Sequence, residues 1–295
     1  MIKNFEEIRA KAVKGDRSRL VVADAAGKSV IDALTQATDM GMIEPILVGD
    51  ETKIAPLVEE MGLEGARIID IKDPVEIAEK CVALIRKGEG DMLMKGKLST
   101  PVLMKAVLDK QKGLRKGKLL SHVAVMELAG YPKLMTMTDG GIVINPDLGE
   151  KAALIENAAE VVRGLDIEVP KVACLAAIEK ITDKQPETLH AVQLVKMAER
   201  GQLGKVKVEG PIATDVLLSH EAAKAKGIQS EMTLDADIVL VPNIAVCNAF
   251  VKGMIYLANA RVAGVVMGAA CPIVLLSRSD TAEVKLDSIA LATVI

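Results

Sequence analysis

Residues 67–108 read RIIDIKDPVEIAEKCVALIRKGEGDMLMKGKLSTPVLMKAVL and alternate short apolar strands with helices. The segment RIID predicts a strand, and Pro74 opens a helix after it, because proline is tolerated in the first helical turn. The segment DMLM predicts the next strand, and PVLMKAVL predicts the next helix. Strands that alternate with helices in this order are typical of an α/β fold with a mostly parallel sheet.

The same alternation continues on both sides of this segment. Towards the N-terminus, RLVVA (19–23) predicts a buried strand, and a helix follows it. Towards the C-terminus, a second series starts with a helix over 148–163 and continues through the strands KVACLAA (171–177), DIVLV (237–241) and PIVLL (272–276). The chain has 295 residues, about twice the usual ~150 of one domain. The two series therefore predict two α/β lobes, and clefts between such lobes commonly hold the ligand.

The composition excludes several classes of function. Only 1% of the residues are aromatic, so the core must be aliphatic and methionine-rich, and few faces are available for stacking nucleic-acid bases. The 37 basic and 40 acidic residues give a net charge of −3, so nucleic acid is not expected as a partner. The longest uncharged run, residues 262–277, is too short to span a bilayer, so no membrane association is expected.

The cysteines and histidines indicate neither a disulfide frame nor a metal centre. The four cysteines lie far apart in apolar segments, which is the usual pattern of reduced, buried thiols in the cytosol. The three scattered histidines cannot form a histidine metal cluster. The N-terminal segment carries acids and no apolar stretch, so no signal peptide is predicted. We therefore expect a soluble, cytoplasmic protein with no metal site.

The loop 95–100 is the first candidate for a functional site, because open α/β sheets bind ligands at the carboxyl ends of their strands. It contains Lys95, Ser99 and Thr100. Thr100 is expected to cap the helix that follows, with Pro101 in its first position. A helix N-terminus with hydroxyls and lysines nearby suits an anion such as phosphate. The alternative is an ordinary capped turn whose lysines are solvated.

The last predicted strand runs into a second candidate loop, LSRSDTAE (276–283). Arg278, which follows Ser277, is flanked by hydroxyls and suits bidentate binding of a phosphoryl or carboxylate group. Asp280 and Glu283 have the spacing of a capping box with Asp280 as N-cap, and the spacing favours this structural role over a catalytic one.

Two further loops carry polar residues that could line a cleft. Residues 138–141, Thr-Asp-Gly-Gly, indicate a tight turn more than a binding loop, with Asn145 capping the next helix. After the strand DIVLV, Asn243 and Asn248 are followed by Lys252. These side chains could contact the polar edge of a ligand, or they could equally cap the helix that follows.

Taken together and in this order, these loops resemble the phosphate acetyl/butyryltransferase family. The matching stretches, which cover nearly the whole chain, are KGKLSTPVLMKAVL (95–108), GLRKGKLLSHVAVME (113–127), VEGPIATDVLLS (208–219), ADIVLVPNIAVCNAFVKG (236–253) and LSRSDTAEVKLDSIALA (276–292). The SHV segment and the C-terminal string are most similar to the butyryl branch. The resemblance implies an enzyme that reversibly transfers a short-chain acyl group, butyryl or a branched C4–C5 group, between coenzyme A and inorganic phosphate. Transfer would be direct, in a ternary complex.

The resemblance also implies an architecture. It predicts two lobes of isocitrate/isopropylmalate dehydrogenase-like topology with an active-site cleft between them. The N-terminal lobe would comprise residues 1–137 and a returning C-terminal helix over 277–295, and the second lobe residues 138–276. Coenzyme A would be a substrate, with no tightly bound cofactor, and a homo-oligomer, often a dimer, is expected.

Roles for single residues follow from the same resemblance. Arg278 would clamp phosphate, and Ser277 would donate toward the reacting carbonyl or the leaving group. Arg115 would reach the phosphates of coenzyme A or of the acyl phosphate. The substrate-binding candidates are Lys95, Ser99, Thr100, Arg115, Asn243, Asn248 and Lys252.

Two positions depart from the acetyl-type pattern. Val284 stands where the acetyl-type enzymes carry a carboxylate taken as the base, and Tyr256 stands where they carry an arginine. Asp280 and Glu283 are the nearest replacement bases, and the alternative is that nearby cations lower the pKa of the thiol. The missing base leaves open a non-catalytic acyl-CoA- or acyl-phosphate-binding protein, and the fold leaves open a metal- and NAD-dependent decarboxylating dehydrogenase.

Overall fold

A computed structural model describes residues 1–116, 119–277 and 280–295. The strands are β1 (Ser18–Ala23), β2 (Ile43–Gly49), β3 (Arg67–Asp70), β4 (Met92–Lys95), β5 (Ser121–Glu127), β6 (Met135–Thr138), β7 (Lys171–Leu175), β8 (Lys207–Ile212), β9 (Ile238–Leu240), β10 (Arg261–Met267) and β11 (Ile273–Val274). The helices are α1 (Phe5–Ala12), α2 (Lys28–Asp39), α3 (Glu51–Met61), α4 (Pro74–Arg86), α5 (Thr100–Val107), α6 (Leu148–Gly164), α7 (Pro186–Glu199), α8 (Thr214–Leu218), α9 (His220–Ala225), α10 (Ile244–Ala258) and α11 (Ala282–Thr293). None of these helices is long and apolar enough to cross a membrane.

The alternation predicted for residues 67–108 is confirmed, since β3, α4, β4 and α5 follow one another there. The sequence pattern does not predict β8, because Gly210 and Pro211 within it are uncommon in strands. β8 lies at the end of the strand order, where a proline is tolerated because one edge of the strand needs no ladder hydrogen bonds.

The chain divides into two compact units, and the first comprises Glu6–Lys118 with Ala263–Val294. Its strands have the order β3-β2-β1-β4-β11-β10, and the pairs are parallel except for β10 with β11. Arg9 of α1 forms an ion pair of 2.6 Å with Asp287 of α11, whose side chain is almost fully buried. The parallel strands bring their carboxyl ends to one edge of this sheet.

The second unit comprises Met1–Phe5, Leu119–Val262 and Ile295. Its strands have the order β5-β6-β9-β7-β8, parallel except for β5 with β6. The expected aliphatic, methionine-rich core is confirmed here, since Met126, Met135, Met137 and Met232 are buried in one cluster. Tyr131 joins that cluster, and its hydroxyl donates to the carbonyl oxygen of Ala236 at 2.7 Å.

An ion network joins the amino ends of three strands in the second unit. Lys133 lies 2.5 Å from Asp237 and 2.8 Å from Asp235. The second carboxylate oxygen of Asp237 accepts the backbone N–H of Lys171 at 2.7 Å, and the Lys171 ammonium pairs with Asp235. Because these residues stand at the starts of β6, β7 and β9, the network fixes how the three strands begin.

This division differs from the predicted lobes, which meet at residue 137 and end at residue 276. β6 pairs with β5 along its whole length, so residues 119–137 belong to the second unit. β11 pairs with β4 and with β10, so residues 263–276 belong to the first unit. Strand pairing decides the division, and the order of elements along the chain does not reveal that pairing.

Candidate active site

The first unit places three loops at the carboxyl edge of its sheet, after β1, β4 and β11. Val274 pairs with Met94, so the chain leaves β11 beside Lys95, the last residue of β4. Lys95 is only 6% exposed, and its Nζ atom donates to the carbonyl oxygen of Gly96 at 3.3 Å. A buried positive charge therefore lies at this edge, as an anion site requires.

Gly96 lets the loop after β4 lie directly against the loop after β1. Its N–H donates to the carbonyl oxygen of Ala23 at 2.9 Å, and the N–H of Lys97 donates to that of Asp24 at 2.7 Å. A Cβ atom at Gly96 would lie 2.1 Å from the Asp24 carbonyl oxygen. Only glycine permits this approach, which holds the backbone before α5 in place.

Helix α5 begins one residue earlier than predicted. Ser99 is its N-cap and Thr100 its first residue, so the prediction that Thr100 is the cap is wrong. Pro101 is therefore the second residue of the helix and not the first as predicted, and the Ser99 side chain makes no capping hydrogen bond. Ser99 is half-buried and Thr100 exposed. The first-turn N–H groups are therefore not satisfied by the side-chain cap and suit an anionic ligand.

The loop after β11 is closed by Asp280, whose Oδ2 atom accepts the backbone N–H of Ser277 at 2.7 Å. The predicted capping box is wrong, because the N-cap of α11 is Thr281, whose hydroxyl accepts the N–H of Val284 at 3.3 Å. Asp280 is half-buried, and Glu283 is exposed in the first turn of α11. Arg278, the predicted phosphate clamp, lies outside the described residues.

Lys285 supports this loop from inside α11. Its side chain is 4% exposed, and its Nζ atom donates to the carbonyl oxygen of Asp280. Burial lowers the pKa of Lys285. The contact ties the turn between β11 and α11 to the buried face of the helix.

Arg115 lies in the segment that follows α5. Its backbone pairs with that of Ala269, in the turn that enters β11, and its side chain is exposed. Ser277 follows the carboxyl end of β11, and Lys95 is at the carboxyl end of β4. Ala269, by contrast, precedes the amino end of β11. That Arg115 reaches the phosphates of coenzyme A or of the acyl phosphate stays a prediction.

In the second unit, the loop after β6 packs against the start of α10. Asn243 is the N-cap of α10 and accepts the N–H of Val246 at 3.1 Å, as the capping alternative predicts. The Asn248 amide donates to the carbonyl oxygen of Gly140 at 3.5 Å. Lys252, one turn further along α10, is exposed. The structure thus brings Asn243 and Asn248 to one edge of this unit.

Asp139 organises the same edge and is a residue that sequence reasoning did not select. It is 1% exposed, and its carboxylate accepts three backbone N–H groups, from His122 at 2.8 Å, Gly141 at 2.6 Å and Ile142 at 2.9 Å. The predicted tight turn is thereby confirmed. An aspartate followed by two glycines after a strand is a recognisable signal of such a turn.

Asn145 does not cap the next helix. Asp147 is the N-cap of α6, and with Glu150 it forms a complete capping box. The prediction for Asn145 is therefore wrong, since the aspartate two residues later has the glutamate at the spacing that a capping box requires.

Comparison with known protein families identifies the family of the chain. The sequence profile of the phosphate acetyl/butaryl transferase family matches residues 73–293. The chain belongs to this family.

Members of the family match the chain over its full length. A phosphate butyryltransferase from Clostridium acetobutylicum is 38% identical over 100% of this chain and 99% of its own. A phosphate acetyltransferase from Thermotoga maritima is 40% identical over 98% of this chain and 99% of its own. The crystal structure of a branched-chain phosphotransacylase from Enterococcus faecalis V583 superposes with a TM-score of 0.84 at 28% identity, covering 94% of this chain and 98% of that one.

The cysteines of this family member are all buried and free of disulfides, as predicted. Burial raises the pKa of Cys174, Cys247 and Cys271 to about 12 and raises that of Cys81 as well. These thiols are therefore protonated at neutral pH and are poor nucleophiles. Among the side chains that the structure describes, no group of three or more His, Cys, Asp or Glu could hold a metal ion.

Proposed function

We propose that the protein is a phosphotransacylase that reversibly transfers a short-chain acyl group between coenzyme A and inorganic phosphate. The observation that carries this proposal is its membership of the phosphate acetyl/butaryl transferase family over residues 73–293. The buried Lys95 and the α5 N-terminus, which lacks a side-chain cap, support an anion pocket at the carboxyl edge of the first unit. The isocitrate/isopropylmalate dehydrogenase-like arrangement of two lobes is part of the proposal.

The reaction needs a thiolate and a polarised carbonyl. The coenzyme A thiol has an ordinary pKa near ~8.5, so a base or local positive charge must favour its ionised form at neutral pH. The thiolate attacks the carbonyl carbon of the acyl phosphate, the carbon–sulfur bond forms, and the carbon–oxygen bond to phosphate breaks. The thiol proton passes to the base and from there to the departing phosphate, which leaves as HPO4²⁻.

We assign the anionic groups to the first unit. Lys95, Ser99 and Thr100 would hold phosphate oxygens through the ammonium, the hydroxyls and the first-turn N–H groups of α5. Arg278 would supply a bidentate clamp, and Ser277 would donate to the oxyanion of the tetrahedral intermediate. Asp280 is the proposed base, with Glu283 as the alternative. Asn243, Asn248 and Lys252 are proposed substrate contacts, and Arg115 is proposed to bind phosphates of coenzyme A.

Transfer would proceed directly in a ternary complex, without an acyl-enzyme. The raised pKa values of the buried thiols argue against a cysteine nucleophile. We further propose a cytoplasmic homo-oligomer with no tightly bound cofactor, and four buried cysteines without disulfides suit a reducing compartment.

The direct test is an assay of coenzyme A-dependent acyl phosphate consumption. In the reverse direction, acyl-CoA substrates from acetyl to hexanoyl are profiled with inorganic phosphate. We expect turnover, with butyryl-CoA or a branched C4–C5 substrate preferred. Each additional buried methylene should contribute about 0.8 kcal/mol, or roughly fourfold in kcat/KM. Binding of coenzyme A without turnover would indicate a binding protein, and a tenfold preference for acetyl-CoA would contradict the chain-length assignment.

Arg278→Ala tests the proposed clamp. The variant should lower kcat/KM for phosphate by about 100-fold, since a charge-assisted bidentate contact to a dianion is worth roughly 3 kcal/mol. Binding of coenzyme A, measured by calorimetry, should largely survive. Phosphate kinetics near those of the unmodified protein would show that Arg278 is not the clamp.

A further inference from the structure

A groove that the proposed reaction does not use opens between α4 and α5 in the first unit. Its cavity has a volume of about 590 Å³. The lining residues come from one face of each helix and from the segment that follows α5. We call this the α4–α5 groove. Its volume lies within the range of small-molecule sites, about 300–1,000 Å³.

The floor of the α4–α5 groove is apolar and built from small side chains. Val75, Ala78 and Val82 of α4, and Val102 and Ala106 of α5, recur at three- and four-residue spacing, so each helix contributes one apolar face. Ala78 and Val82 are buried, Ala83 and Ala106 are half-buried, and Val75 is 54% exposed. Alanines at these positions leave the depth that larger side chains would fill.

The rim of the groove carries an excess of positive charge. Among the lining residues that the structure describes, two are carboxylates, Glu79 and Asp109, and four are basic: Arg86, Lys87, Lys105 and Lys112. Of the two carboxylates, Asp109 is already engaged, since its Oδ1 atom accepts the N–H groups of Gln111 at 2.8 Å and Lys112 at 2.7 Å. These backbone hydrogen bonds, with Lys112 and Arg86 nearby, lower the pKa of Asp109 and keep it ionised.

The charge is concentrated at one end of the groove. Arg86 and Lys87 stand at the C-terminal end of α4, and the Arg86 guanidinium donates to the carbonyl oxygen of Gln111 at 2.8 Å, which brings the segment carrying Lys112 to the same end. Val75 stands in the first turn of α4, at the other end. The groove is therefore cationic at one end, and Val75 and Val102 line the other end with Glu79 as its one charged lining residue.

We propose that the α4–α5 groove binds an amphipathic anion, a medium-length alkyl chain with one negatively charged head group. The chain would lie over the alanines and valines of the two helices. The head group, a carboxylate or a phosphate monoester, would lie beside Lys112 and Lys87. This site is independent of the proposed acyl transfer.

The binding test compares four eight-carbon probes by isothermal titration calorimetry, below micelle-forming concentrations. Octanoate or octyl phosphate should bind about tenfold or more tightly than octanol and octyltrimethylammonium. The tighter of the two anions identifies the head group. Equal binding of the anions, the alcohol and the cation would overturn the proposal, because the groove would then not select charge.

Variants locate the site. Ala106→Leu and, on the other helix, Ala83→Leu fill the groove with helix-forming residues and should each abolish anion binding. Ala10→Leu, at an exposed position of α1 outside the groove, should not. Lys112→Glu should weaken binding by about fivefold, and Lys110→Glu, which does not line the groove, by less than about twofold.

Folding of each variant is followed by thermal unfolding. Anion binding that survives in both leucine variants lies elsewhere and overturns the proposal. So does a change of oligomeric state in those variants, measured by light scattering, because the groove would then be a contact between copies of the chain.

Discussion

Asp280 combines a structural contact with a proposed catalytic role, and substitution separates the two. In Asp280→Asn the amide oxygen can still accept the Ser277 N–H, so the free energy of unfolding should change by less than about 1 kcal/mol. If Asp280 is the base, kcat should fall about 100-fold or more, and the acidic limb of the pH–rate profile should vanish.

Thr281→Ala is the matched control for Asp280→Asn. It removes the helix cap, so it should cost about 1 kcal/mol of stability while kcat stays near its original value. Full activity of Asp280→Asn with loss of activity in Glu283→Gln would move the assignment to Glu283. Activity in both variants would favour thiolate stabilisation by cations alone.

Asp139 accepts three backbone N–H groups with its two oxygens, and an asparagine cannot reproduce this pattern. Asp139→Asn turns one oxygen into a donor that faces another donor in a buried site. We expect a loss of about 1–3 kcal/mol in the free energy of unfolding, measured with urea.

Asp73→Asn is the control for Asp139→Asn. Asp73 caps α4 with a single oxygen at an exposed site, and asparagine caps equally well, so the loss should stay below about 0.5 kcal/mol. Equal losses of unfolding free energy in the two variants would show that the hydrogen bonds to Asp139 stabilise the protein no more than an exposed helix cap does.

The helix N-caps show a limit of prediction at the level of single residues, because the sequence does not decide which of several neighbouring residues is the cap. Ser99, Thr281 and Asp147 cap the helices for which the pattern predicts Thr100, Asp280 and Asn145. Serine, threonine, aspartate and asparagine all cap well, so a run of them allows several starting points one or two residues apart. Backbone contacts from distant segments, such as the Lys97–Asp24 hydrogen bond before α5, are absent from any local pattern.

Among the elements, the starts of β6, β7 and β9 depend on Lys133. Lys133 and Asp237 have side chains only 7% and 4% exposed. Lys133→Met leaves the Asp237 carboxylate buried without its main counter-charge, which should cost about 3–5 kcal/mol of unfolding free energy. Lys205→Met breaks the exposed pair with Glu168, 75% and 81% exposed, and should cost less than about 1 kcal/mol. Similar losses of unfolding free energy in Lys133→Met and Lys205→Met would show that the buried ion pair does not stabilise the strand starts more than an exposed one does.

Strand pairing marks the limit of prediction at the level of elements. The local pattern predicts the bounds of β3, and Pro74 predicts the start of α4, because both signals are local information. It does not predict that β5 pairs antiparallel with β6, or that β11 leaves the second series to lie beside β4. The polar residues of a loop, by contrast, can be read from the local sequence. Such residues as Lys95, Ser99, Ser277 and Asp280 could therefore be chosen as site candidates, and they lie at one edge of the sheet.

Across the whole molecule, acid stability should depend on a histidine and lysine that face each other. Lys151 Nζ lies 3.0 Å from His190 Nδ1, and burial, with the Lys151 charge, lowers the pKa of His190 below 6.5 despite Asp147 and Glu187 nearby. Below that pH the unfolded chain binds a proton that the folded chain does not, so stability is lost as the pH falls.

His190→Gln keeps an acceptor for Lys151 and removes this titration. The free energy of unfolding of the variant should fall less between pH 7 and pH 5 than that of the unmodified protein, as measured by urea unfolding at each pH. His220→Gln, at an exposed site, is the control variant. A slope unaffected by His190→Gln would show that other groups carry the acid sensitivity.

The burial of every cysteine has a consequence for a protein whose proposed substrate is itself a thiol. Disulfide exchange requires a thiolate that a partner sulfur can reach, and burial denies both conditions at Cys81, Cys174, Cys247 and Cys271. Oxidised coenzyme A therefore finds no site on the folded chain at which to form a mixed disulfide. Oxidation of part of the coenzyme A therefore lowers the substrate concentration but does not modify the cysteines of the folded protein.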